Sequence, residues 1–146
     1  QMVRRHRLAE CLITDVLKVP WWQAYEEAHL LEHGLSDVTE PSLFETLGRP
    51  ERSPFGYPIP GHGVPPKLTM ITLTDIQEGE QVTIDRVFEE DEQLLKFFDE
   101  EGIRPGVTVR LEAVAPYRGT VTAQIAGRSI VMGTQVASRI WVNRSK

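Results

Sequence analysis

Six of the chain's ten prolines fall between residues 48 and 66. Proline fixes φ and lacks the amide N–H, so neither a helix interior nor a central strand crosses such a stretch. The run from Gly48 to Pro66 therefore divides the 146 residues in two. The predicted division is residues 1–48, a linker over 49–67, and residues 68–146. The linker is expected to be extended and semi-rigid, with polyproline-like pieces. Pro54, Pro58 and Pro60 are candidate ligands for an aromatic groove, with a plain tether as the alternative. His62, inside this stretch, reads as an exposed loop residue.

Before the prolines, the periodicity is helical. Val3, Leu8, Leu12, Ile13, Val16 and Leu17 recur at 3.6-residue spacing, which predicts an amphipathic helix over 2–18. His6, Glu10 and Thr14 share a face beside that apolar stripe. Pro20 opens a second helix at a first-turn position, and Gly34 stops or bends it. Ala24, Ala28, Leu31 and Leu35 form its apolar side. Ser36 and Asp37 are placed to cap a third helix over about 38–47, closed by Gly48-Arg-Pro50. Trp21 and Trp22 exceed what one small helix needs for its own core, so both are candidate dimer-interface residues. Three short helices with such apolar faces predict a two-fold homodimer.

After Lys67 the period falls to two. Residues 69–73, 81–88, 108–114, 120–125, 129–132 and 139–142 read as short strands separated by glycine turns. One helix, 91–101, lies between the second and third. The fold class is thus α+β: three helices that pair in a dimer, followed by a small β-barrel with one helix, closure removing exposed edges.

The formal net charge is −5, which argues against a nucleic-acid surface within these residues. A single cysteine, Cys11, permits no internal disulfide and predicts a reducing, cytoplasmic setting. No apolar run is long enough for a membrane helix. The chain opens on Gln1, directly into a helical pattern without a capping residue, which predicts a piece of something longer.

Three of the four histidines lie in two short helical segments. His29, Glu32 and His33 stand at i, i+3 and i+4, so on one helix they share a face. Imidazole, carboxylate, imidazole is half of a divalent-metal site. His6 and Glu10 repeat the i, i+4 spacing on the preceding helix.

Taken in order, the motifs around Arg5–Glu10, Glu27–His33 and Arg52–Gly61, with Gly102-Ile-Arg-Pro-Gly106 and its flanking strands, resemble the iron-dependent (diphtheria-toxin-repressor) family of metalloregulators. The resemblance runs from Val3 to Val142. It implies a metal-dependent repressor with a winged helix-turn-helix, a helical dimerisation domain and an SH3-like, FeoA-like domain. This chain matches the last two, so operator DNA would be read by an N-terminal domain outside it. The resemblance implies a primary metal site at His29, Glu32 and His33 and an ancillary site at His6, Glu10 and Asp91, with Glu92 or water completing it. Tyr25 and Leu94 stand where the family has further ligands. The implied cofactor is manganese or iron in the cell, with zinc, cobalt, nickel or cadmium able to replace it in vitro. An imidazole at position 29 suits iron, zinc, cobalt and nickel.

Two other readings compete. His29-Leu-Leu-Glu-His33 is literally H-x-x-E-H, the inverted zinc-protease motif, in which Glu32 would be a general base. The β-rich part could also be a plain interaction module that grips a proline-rich segment, including this chain's own.

Overall fold

The computed structural model describes residues 2–61 and 63–144, so His62 lies outside the described residues. It divides into two compact units. One comprises residues 1–67 together with 89–95, and the other residues 68–88 and 96–146.

The first unit is helical. Helix α1 spans Met2–Cys11 and runs on as one wide π-type turn, Leu12–Val16, in which the Leu17 amide donates to the Leu12 carbonyl. A 3₁₀ turn at Trp21–Gln23 leads into α2, Ala24–Leu31, and a second 3₁₀ turn at Glu32–Gly34 follows. Helix α3 is Thr39–Thr46. The Ser36 hydroxyl accepts from the Val38 and Thr39 amides, the capping that the sequence suggests. Gly48, at φ 82°, ends α3 in the left-handed region that glycine enters without a Cβ clash.

Two sequence expectations fail inside this unit. Val3, Val16 and Leu17 are exposed, while Leu8, Cys11, Phe44 and Ile59 form the core cluster. The buried side of α1 also takes in Glu10, which is fully buried rather than beside the apolar stripe. The proline-rich stretch is likewise no free tether between residues 51 and 60. Its Ser53 amide donates to the Tyr57 carbonyl, and the Ile59 amide donates to the Glu51 carbonyl. The Ser53 hydroxyl accepts from the Phe55 and Tyr57 amides. This tight turn drives Phe55 and Ile59 into the helical core.

Trp21 meets that turn. Its ring lies 4.8 Å from Phe55, and its indole N–H donates to the Pro54 carbonyl at 3.0 Å. Trp21 is thus buried within its own chain, and Trp22 is half-buried. Arg7 donates to the Pro58 carbonyl. The Pro54 and Pro58 carbonyls are thus held by Trp21 and Arg7 within the helical unit.

The second unit is an antiparallel sheet of β1 Gln81–Val87, β2 Thr108–Ala115, β3 Thr120–Ile125, β4 Arg128–Gly133 and β5 Ile140–Arg144. The strand order is β4-β3-β2-β1-β5. Five of the six expected strands are present. The first, 69–73, is reduced to an isolated Thr72–Trp141 bridge and a 3₁₀ turn at Leu73–Asp75. The reason is local: Thr72 and Asp75 form a capping box, and that competes with a ladder. Helix α4, Glu92–Glu101, starts where Asp91 accepts from the Leu94 amide. A four-residue helix, α5 Thr134–Ala137, precedes β5 and was not foreseen. Among the described residues the ladder does not close, since β4 and β5 are the two ends of the order. Val82, Ile84, Val109, Leu111, Val121 and Ala123 alternate inward to make the core.

Replacing Phe55 by alanine is expected to cost about 3–5 kcal/mol of stability, the range for a truncated aromatic in a packed core. Urea denaturation of the variant measures it. An unchanged midpoint would mean that the proline-rich turn is an independent tether after all.

Candidate metal centre

Helix α1 carries His6 and Glu10 one turn apart, so both side chains leave the same face. Helix α2 supplies Tyr25 and His29, and the 3₁₀ turn after it supplies Glu32. These two segments bring five side chains together. The His6 and His29 rings lie 4.8 Å apart, with Tyr25 edge-on to both at 4.9 and 4.8 Å.

His6 stands at the centre. Its Nδ1 lies 2.5 Å from a Glu32 carboxylate oxygen, and its Nε2 lies 3.1 Å from a Glu10 oxygen. His29 Nδ1 lies 3.5 Å from the same Glu32 oxygen. Two overlapping donor sets result. His6, His29 and Glu32 present one ligand atom each, all within 4.8 Å of one another. His6, Glu10 and Glu89 do the same on the other side of the ring.

Glu89 comes from the chain between β1 and α4, and it is buried. Sequence reasoning placed the acid of this site two residues further on, at Asp91. Asp91 is exposed and occupied in capping α4, and Glu92 joins neither donor set. No periodicity marks Glu89, because it sits outside any helix or strand. The only available signal was its place directly after the apolar Phe88 in an acidic run.

His33 also departs from expectation. Helix α2 ends at Leu31, and residues 32–34 wind as a 3₁₀ turn. His33 is exposed and lies outside both donor sets. The zinc-protease arrangement needs both imidazoles of the motif on one ion and a free glutamate as base. Here Glu32 sits among the donors and His33 does not.

Electrostatics separate the two sides. Burial pushes the Glu10 carboxyl up to about 8, with the Glu32 charge adding to it. Burial pushes Glu89 up to about 9, and the facing Glu10 carboxyl raises it further. One oxygen of each, Glu10 Oε1 and Glu89 Oε1, is buried and has no hydrogen-bond partner. Two buried carboxyl oxygens without donors are costly unless protonated or bound to a cation. That donor set, two carboxylates and an imidazole, fits a divalent transition cation. Burial and nearby acids push the Tyr25 phenol up to about 12, so it stays protonated and offers no anionic oxygen.

Residues 1–61 match the family model described as the iron-dependent repressor metal-binding and dimerisation domain, and residues 71–144 match the FeoA domain. The chain is 33% identical over 136 residues to the diphtheria toxin repressor of Corynebacterium jeikeium, covering 77% of this chain and 57% of that one. It is 33% identical over 143 residues to the iron-dependent repressor IdeR of Mycobacterium tuberculosis (strain H37Rv), covering 89% and 61%. The chain thus spans about 57–61% of the length of these curated relatives. A solved manganese-dependent transcriptional repressor in complex with manganese superposes with a TM-score of 0.91 at 33% identity, covering 99% of this chain and 70% of that one.

The two raised carboxyls set a pH dependence for the metal-free chain. Unfolded, they lose their protons near the ordinary value of 4.5; folded, they keep them to about 8 and 9. The folded chain holds more protons across that window, so their stabilising contribution is full below about 4.5 and is lost as pH rises to about 9. Urea midpoints in chelator should fall from about pH 5 to 9, and Glu89→Gln should flatten the fall. A midpoint that stays flat over this window would show that the pair ionises freely.

Proposed function

Because the chain belongs to the iron-dependent (diphtheria-toxin-repressor) family of metalloregulators, we propose that residues 1–146 carry the metal-sensing and dimerising part of a metal-dependent transcriptional repressor. The ligand sensed is a divalent transition cation. Manganese or iron is the cellular one, in keeping with the names of the relatives, and zinc, cobalt, nickel or cadmium substitute in vitro.

The observation that carries this reading is the pair of unpartnered buried oxygens on Glu10 and Glu89, set beside the His6 ring. Two facing buried carboxyls, each with one oxygen that meets no donor, are hard to explain by stability alone. A bound cation supplies the charge that these carboxylates lack and draws donors from α1, α2 and the 89–95 segment into one fixed arrangement. His6, Glu10 and Glu89 are assigned to one position, and His6, His29 and Glu32 to the other. The linkage between occupancy and arrangement equals the cation's differential affinity for the two states, typically ~1–3 kcal/mol.

Operator DNA is assigned to a winged helix-turn-helix outside these residues, consistent with the net charge of −5. A homodimer would hold two such readers at the spacing of a palindromic operator. The exposed large apolar side chains of the helical unit include Met2, Val3, Val16, Leu17, Leu30 and Val38, and the two-fold contact is assigned to the part of this surface around Leu30. No helix among the described residues is long and apolar enough to cross a membrane.

Calorimetric titration should show the chain binding manganese(II), ferrous iron, cobalt(II) and zinc(II). Glu89→Gln should weaken binding about tenfold or more, while Asp91→Asn leaves it unchanged. The reverse pattern would restore Asp91 as the ligand and remove Glu89. In sedimentation experiments, Leu30→Glu should convert dimer to monomer. A dimer that persists would move the interface elsewhere.

A further inference from the structure

Strand β4 leaves the sheet of the second unit open along one side. The Ile125–Arg128 pair closes the β3–β4 hairpin around Ala126-Gly127, both at positive φ. From a two-residue turn of this kind, hydrogen-bonded and non-bonded pairs alternate along the ladder. Ile130 and Met132 therefore bond to β3, while the N–H and C=O groups of Ser129, Val131 and Gly133 point away from it. Among the described residues, no other segment takes up these backbone groups. The opposite end of the sheet is covered. There the Val142 amide donates to the Ile71 carbonyl, and Thr72 bridges to Trp141. Exposed edges are commonly blunted by proline, lysine, a bulge or a covering segment. Arg128-Ser-Ile-Val-Met-Gly133 has no proline or lysine and pairs with β3 in unbroken register. Its one charge, on Arg128, is paired with Glu101 at 3.4 Å. Val131, at its middle, is 64% exposed.

We propose that this edge is an interface with a second copy of the chain, formed by antiparallel β4–β4 pairing about a two-fold axis at Val131. The strand is complementary to itself in that register. Residues that exchange hydrogen bonds across the axis must be those facing the edge, so Val131 meets its own copy and Ser129 meets Gly133. Centring on Val131 keeps all of the edge-facing residues within the strand. The pleat then sets Ile130 against Met132 on the buried face and Val131 against Val131 on the exposed one. Every opposed pair is uncharged, and each copy offers the same patch, as a closed two-fold contact requires. Six residues span only ~20 Å, which buries far less than the roughly 1,200 Å² of a stable interface. The contact is therefore transient in dilute solution and fills at high local concentration. It lies outside the helical unit, and it stands or falls independently of the metal-sensing reading.

Cysteine cross-linking of the full chain tests the register. Cys11 is buried, so an added surface thiol is the reactive one. Val131→Cys places two thiols at the axis, where opposed Cα atoms lie about 5.5 Å apart, within disulfide reach. Ser129 is also exposed, but its own copy lies about 14 Å along the paired strands, beyond that reach. With diamide as oxidant, Val131→Cys should form covalent dimers about tenfold faster than Ser129→Cys. Equal rates, or no cross-link in either, would overturn the pairing. Charge gives a second readout on folded variants, checked by circular dichroism. In hydrogen exchange at rising protein concentration, the Val131 amide of the wild type should gain protection. The amide at position 131 should lose that gain in Val131→Lys, which sets like charges against each other at the axis, and regain it when Val131→Lys is mixed with Val131→Glu. Protection that ignores concentration would overturn the proposal. Protection gained only with an added synthetic peptide of alternating threonine and valine would assign the edge to a foreign strand and overturn self-pairing.

Discussion

The carboxyl of Glu10 lies inside a helical core, and most of the first unit follows from how that group is accommodated. A buried acid without compensation destabilises a fold, so it must be protonated, paired or bound to a cation. Leu8, Ala9 and Cys11 bury the same stretch of α1, so Glu10 cannot turn to water. His6 and Glu89 are brought to it instead. The arrangement of α1, α2 and the 89–95 segment can be understood as the shell that this one side chain requires.

Much of the architecture was legible beforehand because it depends on local rules. Three helices, five of six strands and the capping of α3 by Ser36 all follow from periodicity and turn chemistry. Expectation and structure part where short-range geometry departs from ideal. His33 is expected beside His29 on a continuous α-helix, whereas residues 32–34 wind as a 3₁₀ turn and His33 lies outside both donor sets. The 69–73 strand gave way to a capping box that is visible in the residues Thr72-Leu-Thr-Asp75 themselves. In both cases the competing signal was present, but weaker than the pattern it defeated.

The site was half legible for a different reason. His6, Glu10, His29 and Glu32 lie on helices, so their spacing implies shared faces. Glu89 lies on no regular element and is more than fifty residues from its partners in the chain. Only tertiary structure brings it there. The proline-rich turn illustrates the same limit. Six prolines read as a tether, yet Phe55 and Ile59, four apart among them, were apolar residues that a solvated linker does not need. Those two anchors, together with the Trp21 indole, turn a spacer into a wall of the core.

The helical unit is not continuous in sequence. It draws on residues 1–67 and then again on 89–95, after the chain has laid down β1 in the other unit. No single cleavage point therefore separates the two units with each left whole. A protease nick anywhere between Lys67 and Glu89, or a recombination event that exchanged the C-terminal half for another module, would strip the helices of an acid that their own segment never encoded. Modular shuffling of such a protein is constrained by that returning segment, whatever the exchanged module might otherwise do.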